Sequence, residues 1–222
     1  MQGEEPTGTS FTLLNMFADG GAFMYPLILC SLFGLGVILA KSYALITARR
    51  NSKRVLTAVE ELIKAGKIDA AATLAENTPG PVAAILVTGL RRVQSRDTEA
   101  NDLGKAIKTT GAIELGFLER GLPILATVSN VAPLLGFLGT VAGMITAFGA
   151  IATAGQVEAS LVAGGIKVAL ITTATGLIIA VPVNVCYNFF VTRIDLLIMD
   201  MEMGAARIFN LVWEMTDAQA AG

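Results

Sequence analysis

The chain has 222 residues, 54% of them hydrophobic and 15% charged, with a formal net charge of -2. An ordinary soluble domain carries about 25% charged residues, so this composition excludes an average water-soluble protein, and the acidic balance excludes a basic nucleic-acid footprint. With no histidine and two cysteines, Cys30 and Cys186, both in apolar runs, it has almost no vocabulary for a metal site or a disulfide framework.

The first ten residues, MQGEEPTGTS, carry acids where a secretory signal would need bases. Residues 10–18, SFTLLNMFA, then Asp19 and a Gly-Gly break, suit either a short interfacial helix or a tail ordered by packing. Segment 1–20 is therefore expected outside the cytoplasm. Gly20 to Ala40 is free of charge and rich in Leu, Ile and Phe, so a first membrane span is expected over 21–46. Its bulky residues suit contact with lipid.

Residues 47–120 are expected to form amphipathic cytoplasmic helices. Asn51 or Ser52 can cap the first, which Gly66 ends, and Asp69 can cap a second through Glu76. Asn77 and Pro79-Gly80-Pro81 punctuate the chain before a third helix over Val82 to about Ser95. A fourth starts near Thr98, and no strong stop separates it from the next apolar run. The charges here read as a solvated face or as a docking surface, and no phosphate loop, nucleophile pair or carboxylate dyad accompanies them.

Gly121 to Val157 is uncharged for 37 positions, and Val168 to Thr192 for 25. At about 1.5 Å per residue the first run covers roughly 55 Å, more than one perpendicular span. Spans over 121–156 and 165–192 are predicted, with an extracytoplasmic turn at 157–164 and a cytoplasmic tail at 193–222. The fold class is then all-α: three transmembrane helices, the second and third extending into a cytoplasmic helical domain. Orientation follows from basic residues, absent from 1–20 but twelve in number between Arg49 and Arg120. The N-terminus is expected outside and the C-terminus inside.

Small residues recur at steps of three and four in both later spans. In the second they are Ser129, Ala132, Gly136, Thr140, Gly143, Ala147, Ala150 and Ala154; in the third, Gly165, Ala169, Thr173, Gly176 and Ala180. Each set lies along one helix face. Close helix packing explains the small residues. A single Thr can bond its own helix carbonyl, but hydroxyls on two narrow faces could also line a polar conduit. Pro133 and Pro182 fall within these spans and would kink them.

APLLGFLGTVAGMITAF (Ala132–Phe148) and GIKVALITTATGLIIAVPVNVCYNF (Gly165–Phe189) closely resemble the MotA/TolQ/ExbB family of ion-channel proteins, and GGAFMYPLILCSLFGLGVILAKSYAL resembles its first helix. The short chain, the expected N-out topology and Tyr187-Asn188 place the likeness nearer ExbB/TolQ than MotA. The resemblance implies the pore-forming subunit of a proton- or sodium-driven motor in the bacterial inner membrane. It implies a homopentamer around a dimer of a single-span ExbD- or TolR-like protein with a membrane aspartate, working on a TonB-, Tol- or motility-type envelope partner. It also implies that Thr140 and Thr173 surround that aspartate, with Gly136, Gly143, Ala147, Ala169, Gly176 and Ala180 beside them on the pore-lining faces. Pro133 and Gly139 fall in the helix-two motif, Pro182 and Tyr187 in the helix-three motif.

The chain departs from ExbB and TolQ at GIKVAL, where those relatives have GIAEAL: Val168 replaces a glutamate and Lys167 precedes it. Lys167 can snorkel to the outer surface, or act as a cation at the outer mouth, pairing with Glu158 or a partner acid. Two alternatives remain: a stator for flagellar or gliding motility, and a non-conducting membrane scaffold. No titratable cluster points to an enzyme, and no cofactor is expected.

Overall fold

Apolar runs of this length cannot expose backbone amides to lipid, so they close their hydrogen bonds within the segment, as helices. The computed structural model describes residues 19–94, 100–155 and 159–220. Among these residues six helices follow in order: α1 Met24–Lys64, α2 Ile68–Glu76, α3 Pro81–Gln94, α4 Ala100–Glu119, α5 Leu122–Ala154 and α6 Ala159–Ala220. There is no strand among the described residues. Three helices, α1, α5 and α6, are long and apolar enough to cross a membrane. The expected helix at 10–18, the start near Thr98 and Glu158 lie outside the described residues.

The chain divides into two compact units. Unit 1 holds the chain through Val37 together with Ile124–Tyr187, and unit 2 holds Ile38–Pro123 with Asn188–Gly222.

Four boundaries differ from the sequence-based expectation. α1 does not restart at Asn51 or Ser52. The Ser52 hydroxyl donates to Ala48 O at 2.7 Å, an i−4 bond that a helix interior offers and a cap does not. Asp69 lies inside the first turn of α2, and the cap position is Lys67, which makes no side-chain cap bond. The fourth helix does stop before the second apolar run: Gly121 adopts φ 89°, a left-handed conformation that breaks the path between α4 and α5. α6 also begins six residues ahead of the expected Gly165 and takes up most of the predicted turn.

Gly66 ends α1 as expected. Its φ of 73° lets Gly66 N–H donate to Ile63 O and Lys67 N–H to Leu62 O at 2.8 and 2.9 Å, a Schellman closure. Pro81 opens α3, at a position whose amide has no helical partner anyway.

Unit 2 has the larger core. Val55, Val59 and Ile63 recur at steps of four on α1 and meet Ile85, Leu86 and Leu90 of α3 and Met201, Ile208 and Val212 of α6. Burying such a side chain contributes about 1.5–3 kcal/mol. Lys41 Nζ donates to Leu118 O at 2.7 Å, placing a cation on the last turn of α4, where the helix dipole favours it. At the surface, Glu60 accepts from Lys64 at 2.8 Å and from Arg207 at 3.3 Å. The Lys64 hydrogen bond is the chief reason that the Glu60 carboxyl sits below the usual carboxylate range. Its small stabilisation is thus present above that range and lost as pH falls through the lowered value.

Gly89 of α3 faces the Phe209 ring so closely that an added Cβ would overlap it. Gly89→Ala is expected to cost about 1–3 kcal/mol through overpacking. The thermal midpoint in detergent, compared with that of Gly104→Ala, where the Cβ meets nothing within 4 Å, measures this.

In unit 1, Met24 and Leu27 of α1 pack on Ala132 of α5 and Ala180 of α6. Gly34 admits Val183 and Val128: a Cβ there would lie 3.0 and 3.5 Å from their methyls. Leu29, Leu32, Phe33 and Leu35 of α1 are each more than half exposed. In a membrane helix that is a lipid face.

Candidate ion site between the second and third apolar helices

The two stripes of small residues face each other. A Cβ on Gly176 would lie 2.6 Å from Ala132 O, and one on Gly136 2.9 Å from Thr172 O. One on Gly143 would lie 2.7 Å from Gly165 O, and one on Gly165 2.7 Å from Gly143 O. These are backbone-on-backbone approaches that only glycine allows, repeated along the whole seam of α5 and α6. Gly136, Gly143, Ala147, Ala169, Gly176 and Ala180 are all buried in unit 1. Within this chain they pack along the seam of α5 and α6.

The two threonines are different. Thr140 and Thr173 are half-buried, and their hydroxyls meet across the seam in a short hydrogen bond. Thr173 Oγ1 donates to Gly136 O at 3.0 Å. Thr140 Oγ1 lies 3.3 Å from Gly136 O and 3.5 Å from Ala169 O. Each hydroxyl has one proton to give and two lone pairs. With the Thr173 proton on Gly136 O and the Thr140 proton shared with Thr173, both donors are used and lone pairs remain. The pair can therefore accept from a protonated acid or a water, or coordinate a bare cation. A carboxylate would need one hydroxyl to turn away from its present acceptor.

Thr172 is a residue that stripe counting missed. It is fully buried, donates to Ala169 O at 2.9 Å and sits against Gly139, where an added Cβ would overlap it. Its signal in the sequence is only the Thr172-Thr173 doublet. The doublet sends one hydroxyl into the α6 backbone and the next across to α5. Pro133 and Pro182 both lie inside continuous helices, each removing one i→i−4 bond.

Lys167 is paired within its own chain. Its ammonium lies 2.6 Å from Asp19 Oδ2, with the side chains 59% and 39% exposed. The partner is Asp19, just ahead of α1; Glu158 lies outside the described residues. Val168, at the glutamate position of the motif, places its methyl 3.7 Å from where a Gly21 Cβ would stand. Both substituted positions thus meet the segment that leads into α1. A pair so exposed contributes at most about 1 kcal/mol. Lys167→Gln is expected to shift unfolding by less than that and to leave ion flux unchanged. A collapse of flux in reconstituted vesicles would instead make this cation part of the outer mouth.

Among the described residues no group of acidic, Cys or His side chains could hold a metal ion, and both cysteines are free.

Residues 77–203 match the MotA/TolQ/ExbB proton channel family. An ExbB homolog from Methanothermobacter thermautotrophicus is 31% identical over 186 residues, covering 83% of this chain and 64% of that protein. The Tol-Pal system protein TolQ of Pseudomonas aeruginosa is 39% identical over 102 residues, 46% of this chain and 44% of its own. The biopolymer transport protein ExbB of Aquifex aeolicus is 36% identical over 118 residues, 53% of this chain and 76% of its own. The chain spans less than two thirds of the length of the first two of these relatives.

Proposed function

The chain belongs to the MotA/TolQ/ExbB proton channel family, on its ExbB/TolQ-like branch, and from that premise we propose that it is the pore-forming subunit of an ion-driven motor in the bacterial inner membrane. Several copies, five by resemblance to the family, surround a dimer of a single-span ExbD/TolR-like protein whose membrane aspartate reaches the Thr140–Thr173 pair. Ion passage then becomes mechanical work on the envelope. Residues 47–120 and the tail from 193 lie in the cytoplasm and the segment before α1 outside, which the distribution of Lys and Arg supports.

The observation that carries this reading is the hydroxyl pair. A seam of glycine and alanine needs no hydroxyl to pack, and a scaffold would be served as well by Ala or Val at both positions. Because both hydroxyl protons are already given to oxygen, the pair receives the partner's acid best in its protonated form. Ionisation removes that donor, and the carboxylate must then draw a hydroxyl away from its acceptor or move on. Two protonation states thus prefer two positions, and the difference is what a stepwise motor can use. The same lone pairs would accept sodium. Burial raises the acid's pKa and hydroxyl bonds to its ionised form lower it, which lets the group exchange protons near neutral pH.

Co-reconstitution with a single-span partner bearing a membrane acid tests this, with flux followed by a pH-sensitive dye with and without sodium. Acidification that needs both proteins and vanishes when the partner's acid becomes the amide is the expected result. Flux independent of the partner, or a complex that assembles and conducts nothing, would leave the scaffold reading.

A further inference from the structure

Within unit 2, α1 and α6 flank a groove of about 340 Å³ whose walls include Leu45 and Phe189 and whose lining also carries Arg49, Arg193 and Asp200. The groove sits where both helices change character. α1 meets its first charge at Lys41, and the uncharged run of α6 ends at Thr192. That change marks the border between hydrocarbon and headgroups, so lipid tails reach the apolar walls while the charged lining stands at headgroup level. The Arg193 guanidinium lies 5.2 Å from the centroid of the Phe189 ring, an arrangement that holds it beside the groove. Neither arginine is in an ion pair among the described residues. Two guanidiniums and one carboxylate leave the lining with a net positive charge.

We propose that this groove binds one anionic phospholipid of the surrounding leaflet, with its phosphodiester between Arg49 and Arg193 and an acyl chain along Leu45 and Phe189, each one turn toward the hydrocarbon from its arginine. Arginine suits this role because its planar fork matches phosphate oxygens in pairs. Basic pockets between membrane helices on this side of a bilayer are known takers of acidic headgroups. Asp200 caps the accepted charge: it favours a singly charged headgroup carrying hydroxyls, which it can accept from, over a multiply charged one. Removing either guanidinium is expected to weaken the preference about fivefold.

The test uses the full chain with Trp213→Phe, which removes the single tryptophan, and Leu45→Trp as a reporter in the groove. It is reconstituted in vesicles where either phosphatidylglycerol or phosphatidylethanolamine carries brominated chains. The expected result is quenching by brominated phosphatidylglycerol well above its mole fraction, with no excess for phosphatidylethanolamine. The excess should be lost in Arg49→Gln/Arg193→Gln and retained in Arg49→Lys/Arg193→Lys, which also guards against simple misfolding. Equal quenching by both lipids overturns the proposal, as does an excess that survives the double glutamine variant or is abolished by inorganic phosphate. So does a reporter less quenched by either lipid than one at the exposed Tyr43, since another copy of the chain would then cover the groove.

Discussion

Thr173→Val is expected to lower ion flux roughly ten- to a hundredfold while the protein still folds and assembles. Valine keeps the shape and removes the hydroxyl, so Gly136 O loses the donor now 3.0 Å away and Thr140 loses its partner across the seam. A hydrogen bond to a charged group contributes about 1.5–3 kcal/mol, which as a barrier difference is that range of rate. The folding cost is smaller, about 1 kcal/mol for a neutral hydrogen bond. Flux in vesicles and the elution volume of the purified complex separate the two effects. Thr172→Val is the matched control: its hydroxyl is spent on its own helix at Ala169 O and Val168 O, so flux should persist. Full flux in Thr173→Val would remove these threonines from the ion path.

The largest structural effect is expected at Gly176. A side chain there would start 2.6 Å from Ala132 O and 3.2 Å from Gly136 Cα, neither of which can rotate aside. Gly176→Val must therefore push α5 and α6 apart along a seam that Gly136, Gly143 and Gly165 hold equally close. A cost of about 3 kcal/mol or more follows from overpacking against backbone, a large fraction of a typical folding free energy. Loss of folded protein from the membrane fraction, or a strongly lowered thermal midpoint in detergent, is the expected readout. Gly149→Val, where nothing lies within 4 Å, should be tolerated. If both variants behaved alike, the seam would not be the tight contact described.

The groove on α1 and α6 and the threonine pair belong to different units and are tested by different readouts. Loss of lipid preference in the arginine variants would leave the ion path untouched. Thr173→Val, in turn, should leave the reporter in the groove fully quenched by phosphatidylglycerol.

The sequence by itself determined the three apolar helices, because lipid forces every backbone amide in such a run into helical bonds. It also determined the two stripes, because a step of three and four leaves a face no choice of neighbours along its own helix. The family was legible for the same reason: the motifs lie on those faces. What faces a stripe is not a local property. Spacing alone left open what Gly136 and Gly176 face, and only tertiary structure shows the approach of Ala132 O and Thr172 O to them across the seam. The same holds for Thr172 and Thr173, neighbours whose hydroxyls diverge because adjacent helical positions point about 100° apart. Asp19 and Lys167, 148 positions apart, have no pattern joining them; tertiary structure alone made them a pair. The stop at Gly121 lay between the two cases. Glycine permits a left-handed turn but does not demand one, and α4 ends there because the chain uses it.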